Sequence, residues 1–526
     1  MIFKSPFPDV TIPEVPYDAF ILRRAAEWKD RVAFIDGPSG RTLTFGQVAG
    51  GARLIAASLA KRGFKQGDVF AIYLPNLPEY AVAFHAVLML GGMITTINPL
   101  YTADELAGQL NDTRARLLLT IPMFLDKARA AASKSHIEEV FVLGEAEGAT
   151  PFASLMKSDG QLPAVTINSR EDVAVIPYSS GTSGRPKGVM LTHYNLVAIT
   201  CQVDGVGIQS YDENARTLAV LPFYHIYGMA ALMNFPLYRG ATCVSVPRFD
   251  LEQFLKTIQD YRVTHLYLVP PIVLALAKHP LVDKYDLSSV KLVNSGAAPL
   301  DDAVQKLCAQ RLHCLVTQGY GMTETSLAIS VTPDDPAKMK SGSSGLLLPN
   351  MEAKVADLAS GADLGPNQNG EICARGPNIM KGYLNNPEAT AQTIDAQGWL
   401  HTGDIGYIDE DGHFFIVDRV KELIKYKGLQ VAPAELEGVL LTNPAIADCA
   451  VIPVPDEIAG EIPKAFVVLK SPISADDVMQ YVAERVAPHK KVRRVEIVDA
   501  IPKSPSGKIL RRELVERERA KQAVPT

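Results

Sequence analysis

The chain has 526 residues, of which 47% are hydrophobic and 21% charged, and it carries a net charge of −6. That length exceeds what one hydrophobic core supports, so at least two domains are expected, and the ordinary globular composition excludes a long disordered or collagen-like region. The negative balance argues against nucleic acid as a partner, which needs a clustered positive field, but leaves small anions open.

Residues 1–16 hold no basic stretch followed by an apolar core, and prolines interrupt them, so no signal peptide is read and a cytoplasmic enzyme is expected. Residues 80–100 form the most apolar run. It contains His85, a Gly91-Gly92 pair and a turn-like Asn98-Pro99, which predicts a buried helix running into a strand rather than an integral membrane segment. From about residue 45 to 271, helical segments (FGQVAGGARLIAASLAKRG, DLEQFLKTIQDY) alternate with strand-like runs (VFAIYL, LLLTI, VFVL, HLYLVP), the pattern of parallel sheets flanked by helices. The cysteines, Cys201, Cys243, Cys308, Cys314, Cys373 and Cys449, form no C-x-x-C pair and read as reduced, mostly buried thiols.

Residues 173–196 carry the strongest chemical signal. A strand-like run feeds a loop of Ser179, Ser180, Gly181, Thr182, Ser183 and Gly184, followed by Lys187. Small side chains let backbone N–H groups approach an anion, hydroxyls add donors and the lysine supplies countercharge, which is what a triphosphate needs. Taken alone the loop also fits a Gly/Ser-rich surface turn. It is not a Walker A motif, because Gly188 stands where a magnesium-binding Ser or Thr is required.

Between residues 341 and 418 Gly, Pro and Asn punctuate short strands (AKVAD, GEICARG, GYIDEDGHFFIVD), which predicts antiparallel hairpins or a small barrel, with DEDG at 409–412 as a hairpin turn. A third composition, compact α+β, begins after Arg419. The expected organisation is therefore an N-terminal domain over 1–420 and a C-terminal domain over 421–526, ending in a fraying helix.

SSGTSGRPKG resembles the phosphate loop of the adenylate-forming superfamily, and four further blocks follow in that superfamily's order: NSGAAP at 294–299, QGYGMTETS at 318–326, GWLHTGD through VDRVKELIKYKGLQVAPAEL from 398, and IPKSPSGKILRREL at 501–514. The chain is similar to the 4-coumarate:CoA ligase and fatty-acyl-CoA synthetase group. The resemblance implies an α/β fold in which a large N-terminal domain of layered sheets plus a small β-barrel carries a small mobile C-terminal lid. It implies an acid:CoA ligase using ATP, Mg²⁺ and coenzyme A, acting on a hydrophobic aryl or fatty carboxylic acid, as a monomer or homodimer. A standalone domain loading a carrier protein is the rival reading.

By the same resemblance, Gln318, Gly319, Tyr320, Gly321 and Thr323 with Ala297, Ala298 and Pro299 surround the nucleotide, Glu324 holds Mg²⁺, and Asp404 and Arg419 hold the ribose. Lys508 bridges the carboxylate and the α-phosphate. Lys421 is the hinge, and Lys425, Lys427, Gly428 and Leu429 form the CoA-facing, thioester-forming loop. The acyl pocket takes His225, Tyr227, Asn294, Ala297, Gly319, Gly321, Leu327 and Ala328, with His225 as a gate near the reacting carboxylate. Local readings stand beside these: Glu324 as a helix-start residue, NSGAAP as a strand-to-helix turn, Asp404 as a turn residue and Lys508 as a solvated surface charge. Asn294 is the departure that leaves phenylpropanoid specificity open.

Overall fold

The computed structural model describes residues 1–179, 186–207, 211–427, 429–456, 458–504 and 507–522, the side chains of Gln430 and Gln522 excepted. Counts below are of these described residues. The large domain is built on three sheets. One is eight-stranded: Val69–Ile72, Met93–Thr96, Leu117–Thr120 and Glu139–Val142 run parallel beside Val173–Ser179, and Lys187–Thr192 and Gly382–Tyr383 add an antiparallel edge. The second is nine-stranded, with a parallel centre that includes Arg216–Ala219, His265–Leu268, Leu292–Ser295 and Leu315–Tyr320. Among the described residues no helix is long and apolar enough to cross a membrane.

Local signals account for the helices that flank these sheets. Thr44 and Gln47 form a reciprocal cap at the start of Phe45–Lys61, as Thr102 and Glu105 do for Ala103–Thr113, each cap contributing about 1 kcal/mol. Asp250 caps Leu251–Tyr261, which ends on Arg262 in the left-handed conformation at φ 52°. The apolar run resolves into the helix Pro78–Leu88 and the strand Met93–Thr96. Its His85 is fully enclosed, and burial lowers the imidazole to about 3. Phe34, Phe70, Phe141, Phe223 and Phe254 anchor a core shared by both sheets, each worth roughly 2–3 kcal/mol relative to exposure. The six cysteines are free thiols, four of them buried.

The third sheet is antiparallel, in the order Ile2–Lys4, Glu352–Ala356, Gly370–Arg375, Leu400–Ile408, Phe414–Arg419. Its ladder does not close between the two edge strands among the described residues, so the expected barrel is open at that seam. The DEDG turn joins the last two strands, with Gly412 at φ 84° donating its N–H to Asp409 O.

The small C-terminal domain has its own sheet, formed by Ile424–Tyr426, Leu429–Val431, Ile446–Asp456, Gly460–Leu469 and Arg494–Ile497, and its own apolar clusters around Ile424, Leu436, Val451 and Ala465 and around Ile452, Phe466 and Leu514. We propose that the two domains divide between residues 420 and 421. The final helix, Arg511–Gln522, reaches the end of the described chain.

Candidate active site

The glycine-rich loop connects two antiparallel strands. Ser179 pairs with Lys187 across the ladder, so the loop hangs from the tip of a hairpin rather than from a strand-to-helix turn. Ser180, Gly181, Thr182, Ser183 and Gly184 lie outside the described residues. Both ends are placed: Ser179 Oγ donates to Glu324 Oε1 at 3.0 Å, and Lys187 Nζ sits 4.0 Å from the Tyr383 ring centroid. Burial lowers the Lys187 pKa, against the attraction of Glu324.

Glu324 lies in the short 3₁₀ turn Thr323–Thr325 and is only 4% exposed, so it is no surface helix-start residue. Its Oε1 also accepts the Tyr383 hydroxyl at 2.8 Å. Both donors converge on that oxygen, and Oε2 takes no hydrogen bond among the described residues. One buried carboxylate with an uncommitted oxygen, beside Ser179 and Lys187, suits Mg²⁺, which takes one or two carboxylates with phosphate oxygens and water. The turn is clamped from outside: Asn378 Nδ2 donates to the Thr325 and Ala328 carbonyls, and Ser326 Oγ to Asn378 O.

A cavity of about 920 Å³ opens from Ser179, Lys187, Thr323 and Glu324 past Tyr320 to an apolar pocket bounded by Leu221, Ile226, Ala230 and Ala231. His225, Tyr227, Asn294, Ala297, Gly319, Gly321, Leu327 and Ala328 all line it. His225 is held from the neighbouring sheet. Asn76 Nδ2 donates to the Ala219 and Leu221 carbonyls, its Oδ1 accepts Phe223 N–H, and Thr96 Oγ1 donates to Tyr224 O. Burial lowers the His225 imidazole to about 4, so the ring is neutral near pH 7. The π-helical segment Gly228–Asn234 supplies the alanine wall. Gly321 leaves no room for a side chain, because a Cβ there would fall inside the contact distance of the Leu327 carbonyl oxygen and the Ala328 Cα. Ala297 holds φ 71°, a left-handed conformation uncommon for a residue with a side chain.

Asn294 is spent inside the pocket, its Oδ1 accepting the Tyr227 hydroxyl at 3.0 Å and its Nδ2 donating to Thr317 Oγ1 at 3.0 Å.

A second cavity, of about 880 Å³, lies between the domains and shares Ala297, Gly319, Tyr320, Gly321, Arg419 and Lys508 with the first. Ala298, Pro299 and Asp404 line it. Asp404 and Arg419 are directly paired across two strands. The Asp404 carboxylate meets Arg419 Nε at 3.1 Å and accepts the Tyr320 hydroxyl at 2.9 Å. Burial raises its pKa, opposed by Arg419 and Tyr320. Lys508 enters from the small domain and is not a solvated surface charge: burial, reinforced by Arg419, lowers its pKa to about 8.

Two groups of expected residues stand elsewhere. The Gln318 side chain is turned away from both cavities: its Oε1 accepts Leu300 N–H and its Nε2 donates to Gln305 Oε1, so it fixes the loop carrying Pro299 instead of facing a nucleotide. Lys425, Lys427 and Leu429 are exposed on a hairpin of the small domain and line neither cavity, and Gly428 lies outside the described residues. Lys421 lines the first cavity. Sequence reading missed Tyr383, Asn378 and Asn76, whose roles arise from long-range contacts that no local spacing announces.

An α/β domain whose buried Glu324 carboxylate and Asp404–Arg419 ion pair line cavities entered by a lysine from a smaller domain has the arrangement of the enzymes that activate a carboxylate with ATP. The chain belongs to the AMP-binding enzyme family, as an AMP-forming acid–CoA ligase: the AMP-binding enzyme model matches residues 21–384 and the AMP-binding enzyme C-terminal domain model residues 435–508. It is 45% identical to 4-coumarate–CoA ligase 1 of Petroselinum crispum, covering 98% of this chain and 96% of that one. It is also 45% identical to the 4-coumarate–CoA ligase of Pinus taeda, over 99% and 98%. Among solved structures, an anthranilate CoA ligase in complex with anthranoyl-AMP matches with a TM-score of 0.90 at 28% identity, covering 98% of this chain and 99% of that one. An o-succinylbenzoate CoA synthetase from Bacillus subtilis, in complex with ATP and magnesium ion, matches with a TM-score of 0.82 at 29% identity, over 96% and 100%.

Proposed function

We propose that this ligase joins a planar aromatic acid of the hydroxycinnamate class to CoA through an acyl-adenylate. The observation that carries the reading is the polar chain Tyr227–Asn294–Thr317 in the cavity that the apolar residues Leu221, Ile226, Ala230 and Ala231 also line. With its proton given to Asn294, the Tyr227 oxygen retains an acceptor lone pair for a ring hydroxyl. A long saturated chain would cover that group without bonding it, which is unfavourable. The 45% identity to 4-coumarate–CoA ligases supports the same substrate class.

In the first half-reaction a substrate carboxylate oxygen attacks the α-phosphorus of ATP and pyrophosphate leaves, so the protein's task is positioning and neutralisation of charge. Ser179, Lys187 and the loop between them take the leaving phosphates, with Thr323 beside them. Tyr320, with Ala297, Ala298 and Pro299, flanks the adenine, and Asp404 and Arg419 take the ribose hydroxyls. Lys508 lies between carboxylate and α-phosphate, and neutral His225 bounds the carboxylate end of the acyl pocket. Glu324 would hold Mg²⁺, which supplies further neutralisation of the phosphate oxygens when bound. In the second half-reaction the CoA sulfur attacks the acyl carbon and AMP leaves. Lys508 in the cavity and Lys425 exposed on its hairpin correspond to the adenylating arrangement; rotation about Lys421 exchanges them, bringing Lys425, Lys427, Gly428 and Leu429 to the site.

The test is pyrophosphate release with and without CoA over cinnamic, benzoic and medium- to long-chain fatty acids, with products identified by mass. CoA-dependent thioesters confined to hydroxylated cinnamates are expected. Equal or better turnover of fatty acids would refute the substrate assignment, and adenylates without thioesters would refute CoA as acceptor.

A further inference from the structure

Asp404 stands where it does because of an irregularity in its strand. Across the ladder between Gly370–Arg375 and Leu400–Ile408, Cys373 faces His401 and Glu371 faces Ile405, so Thr402, Gly403 and Asp404 bulge out between two regular pairs. Bulges re-aim side chains, and they persist only when the surroundings fix them. Here the fixing is specific. Glu371 Oε1 accepts Gly403 N–H at 3.0 Å, Thr402 Oγ1 donates to Ile372 O at 2.7 Å, and Asp404 N–H donates to Thr402 Oγ1 at 3.1 Å. Gly403 sits at φ 69°, a conformation for which glycine is suited. The second Glu371 oxygen, Oε2, lies 2.8 Å from His401 Nδ1, so that with Nδ1 protonated the ring holds the carboxylate in its orientation.

We propose that Glu371, oriented by His401, is a positioning residue for nucleotide binding: it holds the bulge that aims the Asp404 carboxylate at the ribose. The inference rests on Asp404 being the ribose ligand. Donor atoms of Glu371, Cys373 and His401 also lie within 4.8 Å of one another, close enough to share a metal ion. The 2.8 Å carboxylate–imidazole contact and the commitment of Oε1 to Gly403 assign Glu371 and His401 instead to a hydrogen-bonded pair, with Cys373 Sγ 3.5 Å from the same His401 Nδ1.

The readout is discrimination between ATP and 2′,3′-dideoxy-ATP in pyrophosphate release, as the ratio of kcat/KM values, alongside thermal melting. Asp404→Asn is expected to collapse the wild-type ratio. Glu371→Ala is expected to lower it by roughly tenfold, mainly through KM for ATP and with KM for the acid unchanged, as a displaced ligand predicts. Glu371→Gln, whose single amide oxygen can still accept Gly403 N–H, is expected to restore most of it. Thr402→Val cuts the same bulge at a second point and is expected to act like Glu371→Ala, which keeps the test open if that variant does not fold. A ratio unchanged in Glu371→Ala and Thr402→Val but lost in Asp404→Asn overturns the inference, as does lowered melting with an intact ratio. A ratio unchanged in Asp404→Asn overturns the ribose reading, and the inference with it.

Discussion

Lys508 offers the most quantitative test of the proposed adenylation step. Burial beside Arg419 brings its pKa to about 8, whereas an ordinary lysine titrates near 10.4. The shift is downward, so the cation is present below that value and is lost as pH rises through it. Between about pH 7 and about pH 9 the protonated fraction falls roughly tenfold for such a group and hardly at all for an unperturbed lysine. We therefore expect kcat/KM for pyrophosphate release without CoA to fall roughly tenfold over that interval, with a limb centred near 8. Lys508→Arg keeps its charge throughout, because guanidinium does not titrate here, and is expected to be slower but flat. A wild-type profile that stays level to about pH 10, or the same falling limb in Lys508→Arg, would refute the assignment of Lys508 as the working cation.

Lys425→Ala is expected to lose on the order of 100-fold in thioester formation from supplied acyl-AMP while leaving adenylation within about twofold, and Lys508→Ala to do the reverse; single-turnover assays of the two half-reactions measure both. Glu324→Gln takes away the charge that meets Ser179, Tyr383 and the candidate Mg²⁺, so adenylation should fall on the order of 100-fold and need more Mg²⁺ for half-saturation in a MgCl₂ titration. Arg511 binds Glu437 Oε2 at 2.6 Å and also pairs with Glu422 inside the small domain. Arg511→Met leaves the Glu437 carboxylate buried without its countercharge, which should cost about 3–5 kcal/mol in urea unfolding.

The helices Phe45–Lys61 and Leu251–Tyr261 and the parallel strands between them were legible because caps and periodicity are local. Motif order brought Asp404 and Arg419 to one site, and the structure pairs them. What local pattern does not encode is where a side chain spends its hydrogen bonds. Gln318 sits within a nucleotide motif yet holds Leu300, and Glu324, a candidate metal ligand by its motif, is held by a tyrosine distant in sequence. The strand Lys187–Thr192 was hidden because Lys187 read as following a loop, and it is defined by its pairing with Val173–Ser179 and Gly382–Tyr383. Asn294, a departure in the sequence, becomes interpretable once Tyr227 and Thr317 are seen beside it.

The close approach of backbone to backbone at Gly321 bears on how this enzyme can diverge. One side of the cavity of about 920 Å³ is main chain pressed against the Leu327 carbonyl and Ala328, so no substitution at Gly321 can narrow it without moving the turn that carries Glu324. Ala230 and Ala231, on the π-helical segment, also line this cavity and are not part of that turn, so substitutions there can change its width without displacing Glu324. The width of the cavity can thus vary at a segment separate from the turn that carries Glu324.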